Sequence, residues 1–544
     1  MKYRIFESEN SQQISQQYQV PSLIAKIIDQ KGFQEEQLKI LLNPRLIYHD
    51  YDLFSEADMT IDRIEEAIEN EEKICIYGDY DCDGILATTI LVQAFLQRGV
   101  QVGYHIPHRY EDGYGLNVKR VEQIVSKGYS LIITVDNGVK AFEAIERANE
   151  LGVDVIITDH HEFDEDLPDA CSVIHTKISP DYPFKAICGG FVAYKLAVAL
   201  NGNKHDKYLF SLAAITTISD MMPLLDENRS LVKRGLEFMN QQKYTSLELL
   251  LGNTQKYDAS TIGYTIVPKI NSFGRLPEMI HPNALVKYFL KDAPRDYMIK
   301  IADAAQKINQ QRQKMTNDQY QMALPNANAQ YLYYADSNLH EGIVGLIASK
   351  YTREFEKPSF VMHYDEETGL YKGSARSVDG FSLYQFFMEH QEYLKIWGGH
   401  KLAGGFSLTK ENYEKFKEII DETLKDMTLE SYQDVILIDS SDISLHAIES
   451  LKLLEPFGMA NESPLFLLKN VPINKIYTLK NGKHLKIEID YKHIKLNALF
   501  FHQGKMIDEL KNEKVLDLVG QLSINEYRNI KSIQLIVKDI HPHL

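Results

Sequence analysis

The sequence lacks long hydrophobic runs: no window of its 544 residues approaches the stretch of about 18 apolar residues that a membrane-spanning helix needs. The N-terminal segment MKYRIFESEN has no apolar core of the kind found in signal peptides, so we expect a cytoplasmic protein. Only four cysteines are present, without CxxC spacing, which argues against a disulfide framework and against a structural zinc site. The apolar fraction of 44% excludes a mostly disordered chain.

Acidic residues outnumber basic ones by 76 to 59, and the formal charge of −17 alone counts against a nucleic-acid partner. The charge is not evenly spread. From Phe466 to Leu544, 12 Lys and one Arg stand against eight acidic residues, so this part carries +5 and the remainder −22. A basic module on an acidic body fits an enzyme whose carboxylates hold metal ions while another part binds an anionic substrate. A lysine-rich, solvated β-surface would explain the same tail.

The order of apolar runs predicts an α/β protein: two α/β domains joined by a long helix, followed by an OB-like β-barrel. In the first domain, short apolar runs alternate with helical stretches, which predicts a parallel sheet built from right-handed crossover units. These runs are 73–78, 100–106, 131–136, 153–159 and 171–175. After residue 434, five short alternating strands with turns between them are typical of an OB-type barrel.

Four predicted boundaries divide the chain into five parts. They are an N-terminal helical segment (1–55), the first α/β domain (56–290), the connecting helix (291–325), the second α/β domain (326–430) and the barrel (431–544).

An acidic loop, GDYDCDG (78–84), directly follows the first of these strands and precedes a helix. Its carboxylates Asp79, Asp81 and Asp83 alternate, so in an extended chain they point to one side. Clustered carboxylates repel one another unless a divalent cation lies among them, so the loop is a candidate metal site. Gly84 allows the backbone to turn closely into the helix. The alternative interpretation is an ordinary acidic loop in which Asp83 caps the helix.

Two further strands end in potential metal ligands. The run 131–136 ends at Asp136, and the run 153–159 leads into Asp159, His160 and His161. Because the carboxyl ends of parallel strands meet at one edge of the sheet, we expect these side chains to converge with the acidic loop. A His-His pair placed directly after an acid favours imidazole as a metal ligand with carboxylate support. Such a set is large enough for two cations and suits Mn²⁺ at least as well as Mg²⁺.

The segments GDYDCDG, VDNG and TDHH resemble the first three motifs of the DHH phosphoesterase superfamily, and TTISDMMPLLDENR resembles the fourth, which adds Asp220. Further segments narrow the resemblance to RecJ-type single-strand-specific exonucleases from about residue 22 to the C-terminus. These segments are IPHRYEDGYGLN, PKINSFGRL, LHEGIVGLIASK, GSARS, GGHKLAGGFS and LEPFGMANESPLF.

The resemblance implies specific roles. It makes Asp81, Asp136 and Asp220 ligands of a first metal, the last two bridging to a second metal that Asp83 and His160 also hold. Two more residues match the family pattern, as metal ligand, ligand support or phosphate contact: Asp79 and His161. The phosphate-binding residues it implies are Arg109, Arg275, Ser374, Arg376, and Gly399 and His400 of the GGH motif.

The resemblance implies a phosphodiesterase that uses two divalent cations, Mn²⁺ or Mg²⁺, to degrade single-stranded DNA from 5′ to 3′ into mononucleotides in DNA repair and recombination. A single-strand-binding protein and a RecQ-type helicase are its expected partners. The lysine-rich barrel is expected to bind the strand beyond the active site. Two alternatives remain. The first is another enzyme of the same superfamily, either a nano-RNA or cyclic-dinucleotide phosphodiesterase or a pyrophosphatase. The second is a catalytically dead DNA-binding scaffold.

Overall fold

A computed structural model describes residues 2–541 apart from 43–44, 164–165, 253–255, 325–329, 426, 428, 430–431, 493 and 529. The chain forms two compact units, one made of Leu46–Glu430 and the other of Met1–Arg45 with Ser431–Leu544. The predicted domain boundaries at 325/326 and 430/431 lie outside the described residues. Among the helices described, none combines the length and apolar composition that a membrane span requires.

The described residues include seventeen strands. They are β1 (Lys2–Phe6), β2 (Ile74–Tyr77), β3 (Gly103–His105), β4 (Leu131–Val135), β5 (Asp154–Thr158), β6 (Ser172–Ile174), β7 (Leu332–Asp336), β8 (Ser359–Asp365), β9 (Leu370–Arg376), β10 (Ile396–Gly399), β11 (Ala403–Thr409), β12 (Tyr432–Leu437), β13 (Phe466–Leu479), β14 (His484–Tyr491), β15 (Ile494–Phe500), β16 (Val515–Tyr527) and β17 (Ile530–His541).

The first sheet of the larger unit has the order β3-β2-β4-β5-β6, and every neighbouring pair in it is parallel. Its central strands are apolar and buried because helices cover both faces. The predicted parallel sheet is therefore confirmed, and each of the five apolar runs forms one of its strands. The helices of this part are Ala57–Glu69, Cys82–Gln97, Val118–Ser126, Phe142–Glu150, Gly189–Leu200, Lys207–Ser219, Asp226–Gln241, Thr245–Leu251, Ala259–Thr261, Val267–Arg275 and Asn283–Phe289, with a π-helical turn at Ile262–Ile266.

A 29-residue helix, Arg295–Ala323, leads from this part to the second sheet and lies within the predicted connecting helix (291–325). The second sheet has the order β10-β11-β9-β8-β7, and only β7 and β8 run parallel. Its helices are Val344–Phe355, Leu383–Glu389 and Asn412–Leu424. The strand β10 forms one edge of this sheet, which becomes important for the site.

In the smaller unit, β13 pairs with both β14 and β16, while β15 and β17 complete the circuit, so five strands close into a barrel. The predicted barrel is confirmed.

The helical prediction for residues 1–55 is wrong at its start, where β1 pairs in parallel with β12 and β12 in parallel with β13. The alternation in KYRIF explains the strand, because Tyr3 and Ile5 pack against the core while Lys2 and Arg4 are exposed. The helices of this unit are Ser11–Tyr18, Ser22–Lys31, Glu35–Leu42, Leu445–Glu449 and Ile507–Leu510.

Candidate metal centre and substrate cleft

The acidic loop after β2 bends into the helix Cys82–Gln97, and Asp81 is the residue that caps this helix. Its Oδ1 accepts hydrogen bonds from the backbone N–H groups of Asp83 (2.9 Å) and Gly84 (3.1 Å). A side chain on Gly84 would come within 2.6 Å of the Asp79 Cα, so glycine is required there. The alternative in which Asp83 caps the helix is wrong. Asp83 lies in the first turn, where it is buried.

Asp83 is held by a second helix N-terminus that the sequence analysis did not identify. The N–H groups of Gly189 and Gly190 each donate to one oxygen of its carboxylate at 2.8 Å. Burial and repulsion from Asp81 nevertheless raise the pKa of Asp83 to about 6. A Cβ on Gly189 would lie 2.5 Å from the Asp136 Cβ, so this glycine also lets the start of the helix Gly189–Leu200 approach Asp136 closely.

Asp136 follows β4 in a left-handed backbone conformation with φ of 62°. Such a conformation is uncommon for residues other than glycine and is concentrated at functional sites. It places Asp136 Oδ1 at 3.0 Å from His160 Nε2, and the same nitrogen lies 3.5 Å from Asp220 Oδ2 and 3.8 Å from Asp83 Oδ2. The strand ends therefore converge as predicted.

Asp220 reaches this centre from the C-terminal end of the helix Lys207–Ser219. The loop that follows it is tied down by Asn228, whose buried amide donates to the carbonyls of Pro223 (3.1 Å) and Ala186 (2.6 Å). Since Ala186 lies just before Gly189, one side chain links the loop after Asp220 to the segment that holds Asp83.

Four buried atoms at the centre have no hydrogen-bond partner within the part of the chain that the structure describes. They are Asp79 Oδ1, Asp136 Oδ1, His160 Nε2 and Asp220 Oδ2. Buried polar atoms without partners are rare and costly, and carboxylate oxygens with a neutral imidazole are donors that divalent cations accept. The residues present therefore fit bound metal ions.

The potential ligand atoms fall into overlapping groups whose members lie within 4.8 Å of one another. One group is Asp79, Asp81 and Asp136, and a second is Asp83, His160 and Asp220. His160 and Asp136 also form a group with His161. This arrangement places Asp79 beside Asp81 and Asp136, and Asp220 beside Asp83, so the division of ligands between two metals that the resemblance implies stays a prediction.

The electrostatics of the centre favour cation binding. Burial raises the pKa of Asp79, Asp136 and Asp220 well above the ordinary value, and neighbouring carboxylates raise it further. Burial also lowers the pKa of His160 to about 3, with repulsion from His161 adding to the effect. The His160 imidazole is thus neutral at pH 7, which is the form that binds a metal.

His161 differs from its neighbour because Asp159 stabilises its protonated form. Its Nδ1 lies 2.8 Å from Asp159 Oδ1, an oxygen that also accepts the backbone N–H groups of His160 and His161. Burial alone would lower the pKa of His161, but the Asp159 carboxylate outweighs burial and raises it to about 9. The Tyr114 hydroxyl lies 3.1 Å from the other ring nitrogen. Asp159 thus fixes the imidazole of His161 and the backbone of both histidines.

A cleft of about 990 Å³ opens beside this centre, between the first sheet and the second. Its lining brings together residues that the sequence analysis assigned to the metals and to phosphate: Asp81, His161, Arg109, Arg275, Ser374, Arg376, Gly399 and His400. The other predicted ligands lie deeper in the centre described above. Sequence reasoning missed Tyr114, which also lines the cleft, although it lies within the quoted segment IPHRYEDGYGLN.

The arginines of the cleft do not pair with acids in the described residues. Arg376 donates to the hydroxyls of Ser349 (3.0 Å) and Ser374 (2.8 Å), and Arg275 donates to the Gly342 carbonyl at 3.1 Å. Arg109 stacks over the Tyr80 ring at 5.0 Å. Burial, followed by repulsion from Arg109, lowers the pKa of Arg275 to about 9. The cations therefore lie close together and their charges remain available to an anion.

Three family models match the chain: the DHH family N-terminal domain over 73–218, the DHHA1 domain over 328–426 and the RecJ OB domain over 436–539. The chain is also 34% identical to the single-stranded-DNA-specific exonuclease RecJ of Bacillus subtilis, in an alignment that covers 98% of this chain and 70% of that protein. The chain belongs to the RecJ family. The RecJ exonuclease of Thermus thermophilus is 31% identical over 88% of this chain and 70% of its own length.

Solved RecJ structures agree with the fold. The structure of RecJ from Thermus thermophilus in complex with Mn²⁺ matches with a TM-score of 0.84 at 26% identity, covering 99% of this chain and 79% of that one. Its complex with Mg²⁺ matches with a TM-score of 0.77 at 25% identity, covering 99% of this chain and 78% of that one. The resemblance drawn from the sequence motifs and the predicted fold class are thus confirmed.

Proposed function

We propose that the protein is a single-strand-specific exodeoxyribonuclease that degrades DNA from 5′ to 3′ into mononucleotides with the help of two divalent cations, Mn²⁺ or Mg²⁺. The observation that carries the proposal is the set of four unpartnered buried ligand atoms beside a cleft lined by Arg109, Arg275 and Arg376, which do not pair with acids in the described residues. Acids that attract cations and cations that attract phosphate therefore share one cleft, and RecJ relatives act on single-stranded DNA.

The residues that would hold the cations are Asp79, Asp81, Asp83, Asp136, His160 and Asp220. Bound there, two cations would lower the pKa of a water molecule and stabilise charge on the attacking and leaving oxygens.

The remaining groups of the cleft position the substrate. Arg376 and Ser374 hold the 5′-phosphate through charge-assisted hydrogen bonds, and Arg109 and Arg275 bind the neighbouring phosphate. His161, kept protonated by Asp159, places a further positive charge beside the scissile phosphate. Gly399 and His400 bring backbone and imidazole to the same region of the cleft.

We assign DNA binding beyond the active site to the barrel. The lysines Lys475 and Lys486 place their ammonium groups 5.3 and 5.5 Å from the Tyr477 ring, which supplies a stacking surface between two cations. We also infer that the protein acts in the cytoplasm in DNA repair and recombination, with a single-strand-binding protein and a RecQ-type helicase as candidate partners. These inferences rest on the family resemblance.

Digestion of single- and double-stranded DNA, labelled at either end, tests the proposal in Mn²⁺, Mg²⁺ or chelator. We expect mononucleotides released from the 5′ end of single strands with either metal, no digestion of the duplex and no activity in chelator. Rapid cleavage of dinucleotides with no activity on long strands would instead favour the dinucleotide phosphodiesterase alternative. Binding of DNA without cleavage in any metal would favour the scaffold.

A further inference from the structure

The two sides of the cleft meet in a tight contact at Gly342. This residue is buried in the short turn Glu341–Ile343, which directly precedes the helix Val344–Phe355. A Cβ on Gly342 would lie 2.1 Å from the carbonyl oxygen of Arg275 and 2.4 Å from the hydroxyl of Tyr110. Gly342 does not have a positive φ. The close approach of Arg275 and Tyr110, and not the local backbone conformation, therefore requires a glycine here.

Hydrogen bonds hold this contact together from both sides. The Tyr110 hydroxyl donates to the Arg275 carbonyl at 2.6 Å, and the Arg275 guanidinium donates to the Gly342 carbonyl at 3.1 Å. The N–H of Gly342 donates to His340 Nδ1 at 3.1 Å, and the N–H of His340 donates to Gln319 of the long connecting helix at 2.9 Å. We call the set of Gly342, Arg275 and Tyr110 the Gly342 contact. It is anchored to the connecting helix as well as to both sides of the cleft.

On the metal side, the Gly342 contact is fixed to the acidic loop through the helix Val267–Arg275. Asn271 of this helix accepts, through its Oδ1, the N–H of Cys82 at 2.7 Å. A Cβ on Gly274 would lie 2.0 Å from the carbonyl oxygen of Tyr80. Tyr80 and Cys82 belong to the loop GDYDCDG, which carries the candidate metal ligands. The helix that ends at Arg275 therefore packs directly on the metal centre.

On the phosphate side, the Gly342 contact is fixed to the 5′-phosphate residues through the helix Val344–Phe355. Ser349 of this helix accepts a hydrogen bond from Arg376 Nε at 3.0 Å. A Cβ on Gly345 would lie 3.0 Å from Ser374 Oγ, so the first turn of the helix also packs on Ser374. Close-packed interiors transmit displacements because they are hardly compressible. A displacement of the helix should therefore move Ser374 and Arg376 with it.

We propose that Gly342 is a positioning residue, whose contact with Arg275 and Tyr110 sets the distance between the 5′-phosphate residues and the metal centre. A Cβ atom does not approach other heavy atoms closer than about 3.0 Å, so an alanine at 342 would push the two sides apart by about 1 Å. A misplacement of about 1 Å between reacting groups can cost about a hundredfold in rate. This inference rests on the proposed function and explains how its two groups of residues are kept in register.

The test compares Gly342→Ala with the wild type on single strands that carry a 5′-phosphate or a 5′-hydroxyl. We expect kcat/KM to fall about 10- to 100-fold for 5′-phosphorylated strands, mainly through kcat, and to change little for 5′-hydroxyl strands. Calorimetric Mn²⁺ binding should stay unchanged, because the candidate ligands all lie on the metal side of the contact. Tyr110→Phe, which removes one hydrogen bond of the contact without adding an atom, should cause a smaller loss of the same kind.

A double-mutant cycle with Arg376→Ala shows whether Gly342 acts through the phosphate residues. If it does, adding Gly342→Ala to Arg376→Ala should cause little further loss of kcat/KM, whereas independent effects would multiply. Should Gly342→Ala fail to fold, the same cycle with Tyr110→Phe decides. The matched control is Gly504→Ala in the barrel, whose Cβ would lie 1.9 Å from the Gly482 carbonyl oxygen, outside the cleft lining. It should lower the melting temperature and leave kcat and the 5′-phosphate preference unchanged.

Three results would overturn the inference. They are a wild-type 5′-phosphate preference in folded Gly342→Ala, multiplicative losses in the cycle, and a loss of Mn²⁺ binding by Gly342→Ala. The last of these would show that the contact supports the metal centre itself and does not set its distance from the phosphate residues. Failure of the wild-type protein to digest single-stranded DNA would instead refute the proposed function, so the two failures are distinguishable.

Discussion

Replacing Asp136 by Asn should stabilise the metal-free protein and abolish cleavage at the same time. Asp136 is buried among other carboxylates, and burial followed by repulsion from Asp83 holds its pKa well above the ordinary value. The neighbouring Asp83 shows the same effect, since its pKa rises from 3.8 to about 6. A raised carboxyl pKa means that the ionised form of Asp136 destabilises the metal-free fold at pH 7.

The substitution tests the backbone as well as the charge. Asn tolerates the left-handed conformation at this position, whereas Ala is strained there by about 1–2 kcal/mol. We therefore expect Asp136→Asn to be more stable than the wild type in chelator at pH 7, and Asp136→Ala to be about 1–2 kcal/mol less stable than Asp136→Asn. The gain should shrink as the pH falls towards 4, because a raised carboxyl pKa costs stability only above the pKa of the unfolded chain.

Urea unfolding in chelator at pH 7 and pH 4.5 measures these differences, and Mn²⁺ titration calorimetry with a nuclease assay measures function. Both variants should lose high-affinity Mn²⁺ binding and cleavage of single-stranded DNA while remaining folded. The reasoning is refuted if Asp136→Asn is less stable than the wild type in chelator, since the cluster would then carry no electrostatic penalty. Near-normal turnover by either variant would show that Asp136 is not a metal ligand.

Two further substitutions test the cleft and the pH dependence of the fold. Arg376→Ala removes a charged hydrogen-bond donor to the 5′-phosphate, and such a hydrogen bond contributes about 1.5–3 kcal/mol. We therefore expect KM to rise about 10- to 100-fold for 5′-phosphorylated strands and to change little for 5′-hydroxyl strands. Equal effects on both kinds of strand would show that the phosphate binds elsewhere. Burial and repulsion from Arg120 lower the pKa of His105 to about 4. Because the imidazole titrates near 6.5 in the unfolded chain, protonation favours unfolding, and the free energy of unfolding should fall by about 3 kcal/mol between pH 6.5 and 4. His105→Gln should remove that part of the acid sensitivity in urea unfolding, and an unchanged pH slope would contradict the assignment.

The positions of the strands and of the acidic centre could be predicted because the signals are local. Three of the five apolar runs lead directly into candidate metal ligands, and the ends of parallel strands lie at one edge of the sheet. The strand at Lys2–Phe6 was missed because five alternating residues are a weak signal, and its partner β12 lies more than 400 residues away in the sequence. This strand pairing is a long-range contact, and no local sequence pattern predicts it.

The contacts that hold the metal ligands in place could not be predicted either, because they join residues far apart in the sequence. The Gly189 and Gly190 N–H groups reach Asp83 from more than 100 residues along the chain, and nothing in the sequence around them indicates a carboxylate partner. The left-handed backbone of Asp136 is likewise set by its tertiary surroundings. Sequence motifs identified which side chains carry the chemistry, whereas the contacts that hold those side chains in place appear only in the folded protein.

The two sheets of the larger unit keep opposite charges close together without neutralising them. The carboxylates lie at the ends of the parallel strands, and the guanidinium groups of Arg275 and Arg376 are satisfied by neutral oxygens. Had these arginines paired with Asp83 or Asp136, both the cation sites and the phosphate sites would have been lost, since each charge would already have its partner. The backbone N–H groups of Gly189 and Gly190 make this separation possible, because they stabilise Asp83 without supplying a full positive charge. An arginine introduced beside the centre should therefore stabilise the metal-free fold and inhibit the enzyme.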